Sequence, residues 1–355
     1  MKNKKIVIVL FIVLIVTVIV SILFVNKKEN AKNAPKPQLE KVKVQAGWIL
    51  NGEFANICSA MIEGYYEDEG LEIELIPGGP SGASFIIATN ALAQDKSIDI
   101  AVDGDIVPLL RGITKEREEE QIKTKAFAAF WQENPFGFIV RADSGINNFL
   151  DLATKTKVDG KKYKIGVTAD SVAQFAIAQY ASISVDELNL TTVGFDASPF
   201  ISDQVDALAA YWTTQAYEVE KAGIKYNFLN YGDIPGFSQP SMVAIAREET
   251  LKNKPEMLVK WLRATIKGSQ FVVANPEKAA DYIISDACGG KALDREQELW
   301  LIKKSLPLFG EDKIGNLNGN QISNFAKSYA GLEQIPYVPS LEAMADFSIL
   351  DKIYQ

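Results

Sequence analysis

Aromatic, amide and carboxylate side chains in the turns after predicted strands are the residues of this chain that could bind a small molecule. The first such turn, residues 47–54, presents Trp48, Asn51, Glu53 and Phe54 where a helix begins. An indole face can stack on a planar heterocycle, and an amide and a carboxylate can hydrogen-bond to its edge. A core position for Trp48 and a helix-capping role for Glu53 are the structural alternatives, and for Glu53 alone that alternative is equally good.

A second group of candidates lies at a predicted strand-to-helix junction, where Tyr211, Trp212 and Gln215 bring two aromatic rings and an amide together. Further polar and aromatic candidates occupy other turns and chain breaks: Pro80, Ser81, Asp103, Gln132, Asn134, Thr168, Ser171 and Tyr231. Each of them alone is explained as well by helix capping, an ordinary turn or packing. Their concentration at breaks, rather than inside periodic elements, favours a binding site.

The residue types that are missing exclude several kinds of catalysis and metal site. The chain has no histidine, so Ser-His-Asp and Cys-His nucleophiles, HExxH zinc sites and histidine bases are excluded. A calcium loop starting at Asp99 fails, because Ala101 and Leu110 occupy two ligand positions. The glycine turn at 77–82 lacks the Gly-Lys-Ser/Thr of a nucleotide-phosphate loop. We therefore expect no metal, no cofactor and no catalytic residue.

Charge and cysteine content narrow the class of protein further. The 37 basic and 45 acidic side chains give a net charge of −8, and seven of the basic but only one of the acidic residues precede residue 39. The rest of the chain therefore carries −14 and should repel nucleic acid. Two cysteines, Cys58 and Cys288, are too few for a zinc finger. They leave one disulfide or two buried thiols, and we expect the thiols.

The N-terminal segment is typical of a membrane anchor. Residues 6–25 form an unbroken run whose only polar members are Thr17 and Ser21. At about 1.5 Å per residue, a helix of this length spans a hydrocarbon core of roughly 30 Å. Lysines 2, 4 and 5 favour a cytoplasmic position for residues 1–5, and the charged segment 26–38 is typical of a tether. We expect a single-pass protein of the cell membrane with its binding domain on the extracytoplasmic side.

From residue 42 onward, short β-rich runs alternate with longer helical periods, which predicts an α/β domain. Helices are predicted at 171–181 and 278–284, the second with Asn275 as its cap, and only helical pattern follows residue 248. The predicted strands are residues 42–46, 71–76, 98–102, 126–130, 136–140, 164–167, 191–195, 207–211, 226–229 and 242–246.

Two breaks that contain Pro or Gly, at 131–135 and 231–240, are typical of crossings between two lobes. We assign residues 39–131 and 240–355 to lobe 1 and residues 132–239 to lobe 2. Two adjacent linkers make a hinge, and a cleft between hinged lobes is a favoured ligand site.

Several blocks of sequence carry a family resemblance. Residues 48–55 read Trp-Ile-Leu-Asn-Gly-Glu-Phe-Ala, residues 63–73 read Glu-Gly-Tyr-Tyr-Glu-Asp-Glu-Gly-Leu-Glu-Ile, and residues 77–80 read Pro-Gly-Gly-Pro. With further blocks at 98–103, 132–137, 163–167 and 275–280, the chain resembles the NMT1/THI5-like substrate-binding proteins of ABC transporters. That group includes binders of pyrimidine precursors, riboflavin, and alkylsulfonate or nitrate. The resemblance implies a type II periplasmic-binding-protein fold and closure of two lobes on a small solute that an ABC permease then receives.

One departure from the family pattern and one difference from its enzymatic branch bear on function. Vitamin-precursor binders are expected to carry a Thr-Asn-Glu-Pro-like stretch in the second lobe, whereas residues 213–216 here read Thr-Thr-Gln-Ala. The enzymatic branch, the pyrimidine synthases, relies on histidine and a cysteine-rich motif, and this chain has neither.

We expect a monomeric, non-enzymatic binder of a planar heteroaromatic solute, of the thiamine-pyrimidine-precursor or riboflavin type. Trp48 and Trp212 would stack on the solute, while Asn51, Glu53, Asp103 and Gln215 would orient it. The alternatives are an alkylsulfonate or nitrate binder, a hydrolase or lyase using Glu53 with Asp103, and a sensory ectodomain.

Overall fold

The computed structural model of the protein describes residues 38–81, 84–169, 171–310 and 313–354. The predicted cytoplasmic N-terminus and transmembrane anchor, and all but the last residue of the predicted tether, lie outside these ranges. Within the described residues, no helix is both long enough and apolar enough to cross a bilayer. The elements named below belong to one compact unit, Glu40–Gln355.

Five strands form the first sheet, in the order β2-β1-β5-β12-β6. Their bounds are Glu40–Ala46 for β1, Leu71–Ile76 for β2, Ile100–Asp103 for β5, Thr124–Trp131 for β6 and Ser241–Arg247 for β12. β1 pairs in parallel with β2 and β5, whereas β12 runs antiparallel to β5 and β6. The central strands β5 and β12 are buried almost throughout, which is typical of strands covered on both faces.

A second five-stranded sheet has the order β11-β7-β10-β8-β9. Its strands are Phe136–Arg141 for β7, Lys164–Val167 for β8, Asn189–Thr192 for β9, Ala207–Tyr211 for β10 and Tyr226–Asn230 for β11. β8 runs parallel to β9 and β10, while β7 is antiparallel to β10 and β11. A separate hairpin pairs β3 (Gly79–Ser81) with β4 (Ser84–Ile86).

Helices connect the strands and make up the C-terminal third of the chain. Those before β12 are α1 (Ala55–Ile62), α2 (Tyr65–Asp68), α3 (Ala88–Gln94), α4 (Val107–Ile113), α5 (Phe149–Thr154), α6 (Ala173–Ala181), α7 (Ser198–Ile201) and α8 (Gln215–Lys221). Those after β12 are α9 (Glu248–Asn253), α10 (Pro255–Ala274), α11 (Pro276–Ile283), α12 (Arg295–Ser305), α13 (Gly319–Gly331), α14 (Leu341–Met344) and α15 (Ser348–Asp351). α10 buries one long apolar face that includes Trp261 and Leu262.

The chain crosses between the two sheets twice, and the crossings lie side by side. It leaves the first sheet after β6 and returns to it after β11. Asn134 in the outgoing crossing donates its backbone N–H to the carbonyl of Gln239 in the returning one, at 2.9 Å. The Asn134 amide also donates to the carbonyl of Gly104, at 3.1 Å. We call the first sheet with its helices lobe 1, and the second sheet with residues 132–239 lobe 2.

The predicted strands all overlap observed ones, and after residue 248 the described residues contain helices but no named strand, as predicted. The β3-β4 hairpin was not predicted, because its glycines indicated a plain turn or an approach to a ligand. Instead, Gly78 and Gly79 pack closely against the turn after β1 in lobe 1. A Cβ on Gly78 would meet the carbonyl of Ala46 at 2.0 Å, and Gly79, with a φ of +72°, lies against the indole of Trp48.

The expectation of two buried thiols is wrong. Cys58 on α1 and Cys288 after α11 form a disulfide, with their α-carbons 5.9 Å apart. The packing of α1 against α11 brings the two cysteines together from positions 230 residues apart. Asn275 occupies the N-cap position of α11 with Pro276 in the first turn, as predicted, but its side chain does not accept a hydrogen bond from the helix and instead donates to the carbonyl of Phe271.

Candidate functional site

A cavity of about 540 Å³ lies between the lobes. Its lobe 1 wall comes from the turn after β1, the turn after β5 and the start of α12. Its lobe 2 wall comes from the end of β10, the first turns of α8 and the loop that carries Phe195. The carboxyl ends of β1 and β5 therefore open on the cavity, which is the usual ligand position in open α/β sheets.

The turn after β1 is shaped by Asn51. Its side-chain oxygen accepts the backbone N–H of Glu53 at 3.2 Å and so caps the single 3₁₀ turn Gly52–Phe54. Asn51 is only 6% exposed, and its amide nitrogen donates to no described residue. A donor that lines the cavity is therefore free for a ligand.

Glu53 and Glu298 form an acidic pair in the cavity wall. Glu298, on α12, is 4% exposed and accepts the backbone N–H of Gly52 at 2.6 Å through Oε2. Burial raises the pKa of Glu298 to about 7, against the lowering effect of this hydrogen bond. Burial, and then the neighbouring Glu298 carboxylate, raise the pKa of Glu53 to about 7 as well. Neither carboxylate has a cationic partner among the described residues.

Asp103 lines the cavity, but its carboxylate is hydrogen-bonded to the start of α3. Its two oxygens accept the backbone N–H groups of Ala88 at 3.2 Å and Thr89 at 2.9 Å, together with the Thr89 hydroxyl. It therefore satisfies the free N–H groups at the helix start from outside the helix. Burial nevertheless raises its pKa. Helix capping, rather than a free ligand contact, accounts for this residue.

The 540 Å³ cavity, called the larger cavity below in contrast to a smaller one that adjoins it, is lined by acidic residues and by no basic residue among those described. Among its described lining residues there is no lysine or arginine, and the carboxylates are Glu53, Asp103, Asp105, Glu218, Asp294 and Glu298. Burial raises the pKa of Asp105 to about 6, opposed by a hydrogen bond from the Val107 N–H. Such a lining repels anions and attracts cations.

Three aromatic rings meet at the side of the cavity. The centroid of Trp48 lies 5.5 Å from that of Phe85 on β4 and 5.7 Å from that of Phe195, and Phe85 and Phe195 are 6.2 Å apart. Trp48 and Phe85 belong to lobe 1 and Phe195 to lobe 2, so this cluster bridges the cleft. Phe85 is 48% and Phe195 57% exposed, which is unusual for large apolar side chains.

Gln215 holds the Phe195 loop in place. Its side-chain oxygen accepts the backbone N–H of Tyr211 at 2.9 Å and the Thr214 hydroxyl at 2.6 Å. Its amide nitrogen donates to the carbonyl of Phe195 at 2.8 Å. Gln215 lines the cavity, but its side-chain oxygen and nitrogen are both engaged in these bonds, so its main role is to position Tyr211 and Phe195.

A smaller cavity of about 220 Å³ adjoins the first and shares Asp105, Phe195, Tyr211 and Gln215 with it. The predicted candidates Asn134, Thr168, Ser171 and Tyr231 line this second space. Burial, and then the charges of Asp105 and Glu53, raise the pKa of Tyr211, so its hydroxyl stays neutral.

The sequence-predicted candidates thus divide into three groups. The larger cavity is lined by Trp48, Asn51, Glu53, Phe54, Asp103, Tyr211 and Gln215, and the smaller one by the candidates just named. Pro80, Gln132 and Trp212 line neither, and the side chain of Ser81 lies outside the described set.

The residues outside the cavities have other partners. Trp212 is half-buried against the core and, unlike Trp48, lines neither cavity, so the structure does not support its expected stacking role. Gln132 donates to the carbonyls of Ala129 and Asn316 instead. Pro80 is exposed on the hairpin.

Several lining residues were missed by the sequence analysis. Glu298, Asp294 and Gln297 lie in the C-terminal helical segment, where no local signal separates a cavity residue from a solvated one. Phe195 was predicted as the end of a strand, but β9 ends at Thr192 and Phe195 stands in the following loop. The only sequence signal for Phe195 as a cavity residue was an aromatic side chain near the end of a predicted strand.

Comparison with known proteins gives four findings. A family described as NMT1/THI5 like matches residues 51–279. The formylaminopyrimidine-binding protein of Halalkalibacterium halodurans is 21% identical over 279 residues, covering 77% of this chain and 78% of that protein. Riboflavin-binding protein RibY of Chloroflexus aurantiacus is 22% identical over 284 residues, covering 79% and 75%. The 4-amino-5-hydroxymethyl-2-methylpyrimidine phosphate synthase of Legionella pneumophila is 22% identical over 250 residues, covering 68% and 72%.

Solved structures share the architecture. The periplasmic aliphatic sulphonate binding protein SsuA from Escherichia coli superposes with a TM-score of 0.60 at 14% identity, over 87% of this chain and 92% of that one. At this level of identity the likeness concerns the fold alone. The chain therefore has the two-sheet α/β fold of periplasmic binding proteins.

Proposed function

The chain belongs to the NMT1/THI5-like family, and on that premise we propose that it is a solute-binding protein that captures a planar heteroaromatic molecule between its lobes. The observation that carries this proposal is the cavity itself, which Trp48 lines from lobe 1 and Tyr211 and Phe195 line from lobe 2. Rings on both sides can stack on a flat ligand. A ligand that contacts both lobes stabilises their closed arrangement by its difference in affinity for closed and open forms.

The charge of the cavity supports the heteroaromatic class over an alkylsulfonate or nitrate. A sulfonate or nitrate carries a full negative charge and needs cationic or N–H donors around it. The described lining of the larger cavity offers six carboxylates and no basic side chain. Arg111 lines the smaller cavity instead, where its charge acts on Asp105. The names of the formylaminopyrimidine- and riboflavin-binding relatives are consistent with the same class.

We propose further that the protein passes its solute to an ABC permease and is held at the outer face of the cell membrane by residues 6–25. Family membership supports the first point, and the length and apolar character of that segment support the second. Fractionation of cells producing the full chain tests the anchor: it should remain in the membrane pellet after a high-salt wash and dissolve in detergent. Recovery in the soluble fraction would contradict it.

Binding without chemistry is the proposed role of the carboxylates. The alternative hydrolase or lyase needs Glu53 and Asp103 to act as a pair. Both side-chain oxygens of Asp103, however, accept hydrogen bonds from the first residues of α3. One relative is named as a synthase, so turnover remains the competing outcome. Incubation of the protein with its ligand for hours, followed by denaturation and chromatography, should return intact ligand in equimolar amount. A product peak that grows with time would favour the enzyme.

A thermal-shift screen tests the proposed class directly. The purified chain is heated with aminopyrimidines, riboflavin, alkylsulfonates and nitrate, because any ligand that binds only the folded state raises Tm. We expect a rise with flat nitrogen heterocycles and none with the anions. X-ray scattering should then show a smaller radius of gyration in the presence of the hit. Stabilisation by a sulfonate or nitrate alone would overturn the proposed class.

A further inference from the structure

We propose that the solute carries a positive charge on a flat nitrogen-rich edge, of the amidinium or aminoheterocycle kind, and that Glu53 and Glu298 bind this edge as a pair. This inference rests on the proposed function and specifies the ligand of the same cavity. It goes further by assigning a charge to the ligand and a hydrogen-bonding role to a residue of the C-terminal helical segment.

The geometry leaves acceptor atoms free toward the cavity. Glu298 uses Oε2 for the N–H of Gly52, and its Oε1 accepts from no described residue. Glu53 follows Gly52 directly in the chain, and its carboxylate has no hydrogen bond or ion pair with a described residue. Both side chains line the cavity, and Glu298 is nine-tenths buried. A carboxylate that is buried without a cationic partner, as Glu298 is, is costly, so an occupant that donates to the free oxygens is expected.

The surrounding charges do not neutralise the pair. Asp294 stands at the start of α12, where Lys221 of α8 approaches it at 3.9 Å on the exposed side. Glu218 on α8 accepts the N–H of Ala197 at 3.0 Å. Toward the smaller cavity, Asp105 faces Arg111 and Asp103 caps α3. No described cation reaches Glu53 or Glu298. A bound cation would supply the missing charge.

Aromatic rings beside the pair suit the same ligand. Trp48, Phe54 and Tyr211 line the cavity together with Glu53. The face of an indole or phenol attracts a cation, most strongly where water is excluded. A flat cation can therefore place its ring against Trp48 and its N–H groups toward the carboxylates. An uncharged ring would gain the stacking but leave two carboxyl groups without a charge partner.

Proton release follows from this arrangement. Burial raises the pKa of both carboxyl groups to about 7, so near neutral pH the pair retains protons. A fixed cation favours the ionised carboxylates and expels those protons. Affinity for such a cation should therefore rise by roughly tenfold for each proton released between pH 6 and 8, and level off above the pKa of the carboxyl groups. The hydroxyl of Tyr211 stays neutral over this range because burial raises its pKa.

Calorimetry on the full chain in detergent tests the inference with three probes of one shape: benzamidine, benzamide and benzoate. Benzamidine is cationic, benzamide neutral and benzoate anionic. We expect benzamidine to bind at least tenfold more tightly than benzamide, and benzoate to give no heat of binding. The benzamidine affinity should increase at least tenfold from pH 6 to pH 8, and its apparent enthalpy should change with the ionisation enthalpy of the buffer. Equal affinity for benzamide, or a flat pH profile, would overturn the inference.

Three variants assign the effect to residues. Glu298→Gln retains an oxygen that can accept the Gly52 N–H, and Glu53→Gln removes a charge that has no protein partner. Each should abolish the preference for benzamidine over benzamide and flatten the pH profile. Glu296→Gln is the matched control, since Glu296 lies exposed one residue into α12 and outside the cavity. It should leave both unchanged.

The outcomes also separate this inference from the proposed function. If riboflavin or another neutral heterocycle binds in a Trp48-dependent manner and benzamidine does not, capture of a flat solute stands and the charge assignment is wrong. If no compound of any charge binds, neither stands. If benzamidine binds but Glu53→Gln and Glu298→Gln behave like Glu296→Gln, the cavity takes cations without this pair, and the inference is overturned.

Discussion

Glu298 accepts a hydrogen bond from the backbone N–H of Gly52 at 2.6 Å, although the two residues lie 246 positions apart in the chain. The bond joins α12 of the C-terminal helical segment to the first turn after β1, where Asn51 and Glu53 stand. Gly52 allows this approach, since a Cβ there would meet the Leu301 side chain at 2.9 Å. One wall of the cavity is therefore built from both ends of the domain.

Removal of the Trp48 ring should weaken binding without unfolding the protein. In Trp48→Ala, affinity for the hit of the thermal-shift screen should fall at least tenfold, because a stacked aromatic surface is lost. Titration calorimetry measures the change. Trp212→Ala is the matched control, since its ring lies outside both cavities and its loss can reduce Tm but should not change affinity. Equal affinity losses in the two variants would remove Trp48 from the site.

The acidic pair should make stability depend on pH in a defined direction. The pKa of each carboxyl is raised from 4.5 to about 7, so the folded chain holds protons that the unfolded chain has lost between those values. Stability therefore falls as pH rises from about 4.5 to 7. Glu53→Gln should then be more stable than the wild type at pH 8, by roughly 1 to 3 kcal/mol, and indistinguishable from it near pH 4.5.

Chemical denaturation of Glu53→Gln at the two pH values checks this sign. Glu296→Gln again serves as the control, because an exposed glutamate contributes little at either pH. A Glu53→Gln variant that is less stable than the wild type at pH 8 would show that this carboxylate is favourably paired in the folded state.

Gln215→Ala should loosen the lobe 2 wall. The substitution removes three hydrogen bonds that tie Tyr211, Thr214 and Phe195 together, at a cost of about 1 to 3 kcal/mol in stability. Because Phe195 closes the aromatic cluster with Trp48, affinity should fall about three- to tenfold as well. Calorimetry and denaturation together test this, and unchanged affinity despite lower stability would separate the Phe195 loop from ligand binding.

Loss of the disulfide should affect both stability and binding. Cys58 follows the Gly52–Phe54 turn by four residues and Cys288 precedes Glu298 by ten, so the bond holds both sides of the acidic wall. The Cys58→Ser, Cys288→Ser double variant should lose about 2 to 5 kcal/mol of stability. Its affinity should also decrease. Reductant should reproduce the effect in the wild type and do nothing further to the double variant.

Contacts between α8 and α12 should favour the closed arrangement of the lobes. Glu220 of lobe 2 accepts from the Trp300 indole at 3.1 Å and pairs with Lys304 at 3.3 Å, both of lobe 1. Exposed pairs of this kind are worth at most about 1 kcal/mol, so Glu220→Ala should weaken affinity no more than about fivefold. The ligand-free radius of gyration should increase. Glu277→Ala, which breaks a pair with Lys303 inside lobe 1, should not change it.

The order of the elements could be predicted because its signals are local. Short β-rich runs predict strands such as Leu71–Ile76, Lys164–Val167 and Ala207–Tyr211 at their observed bounds. The hairpin whose first strand is Gly79–Ser81 was missed. Gly78, the residue before that strand, lies close against the carbonyl of Ala46, and the composition of the hairpin itself does not indicate this contact.

By itself, the sequence determined the α/β class, the acidic character of the domain, the exclusion of histidine chemistry and the placing of Trp48, Asn51 and Glu53 in one turn. Those properties depend on residue type and on neighbours a few positions away. Only the tertiary structure decided that Glu298 is hydrogen-bonded to that turn, that Phe195 contacts Trp48 across the cleft and that Asp103 accepts hydrogen bonds from the start of α3. Each of those contacts depends on how distant elements pack, and residues far apart in a chain carry no mutual signal until packing brings them within hydrogen-bonding distance.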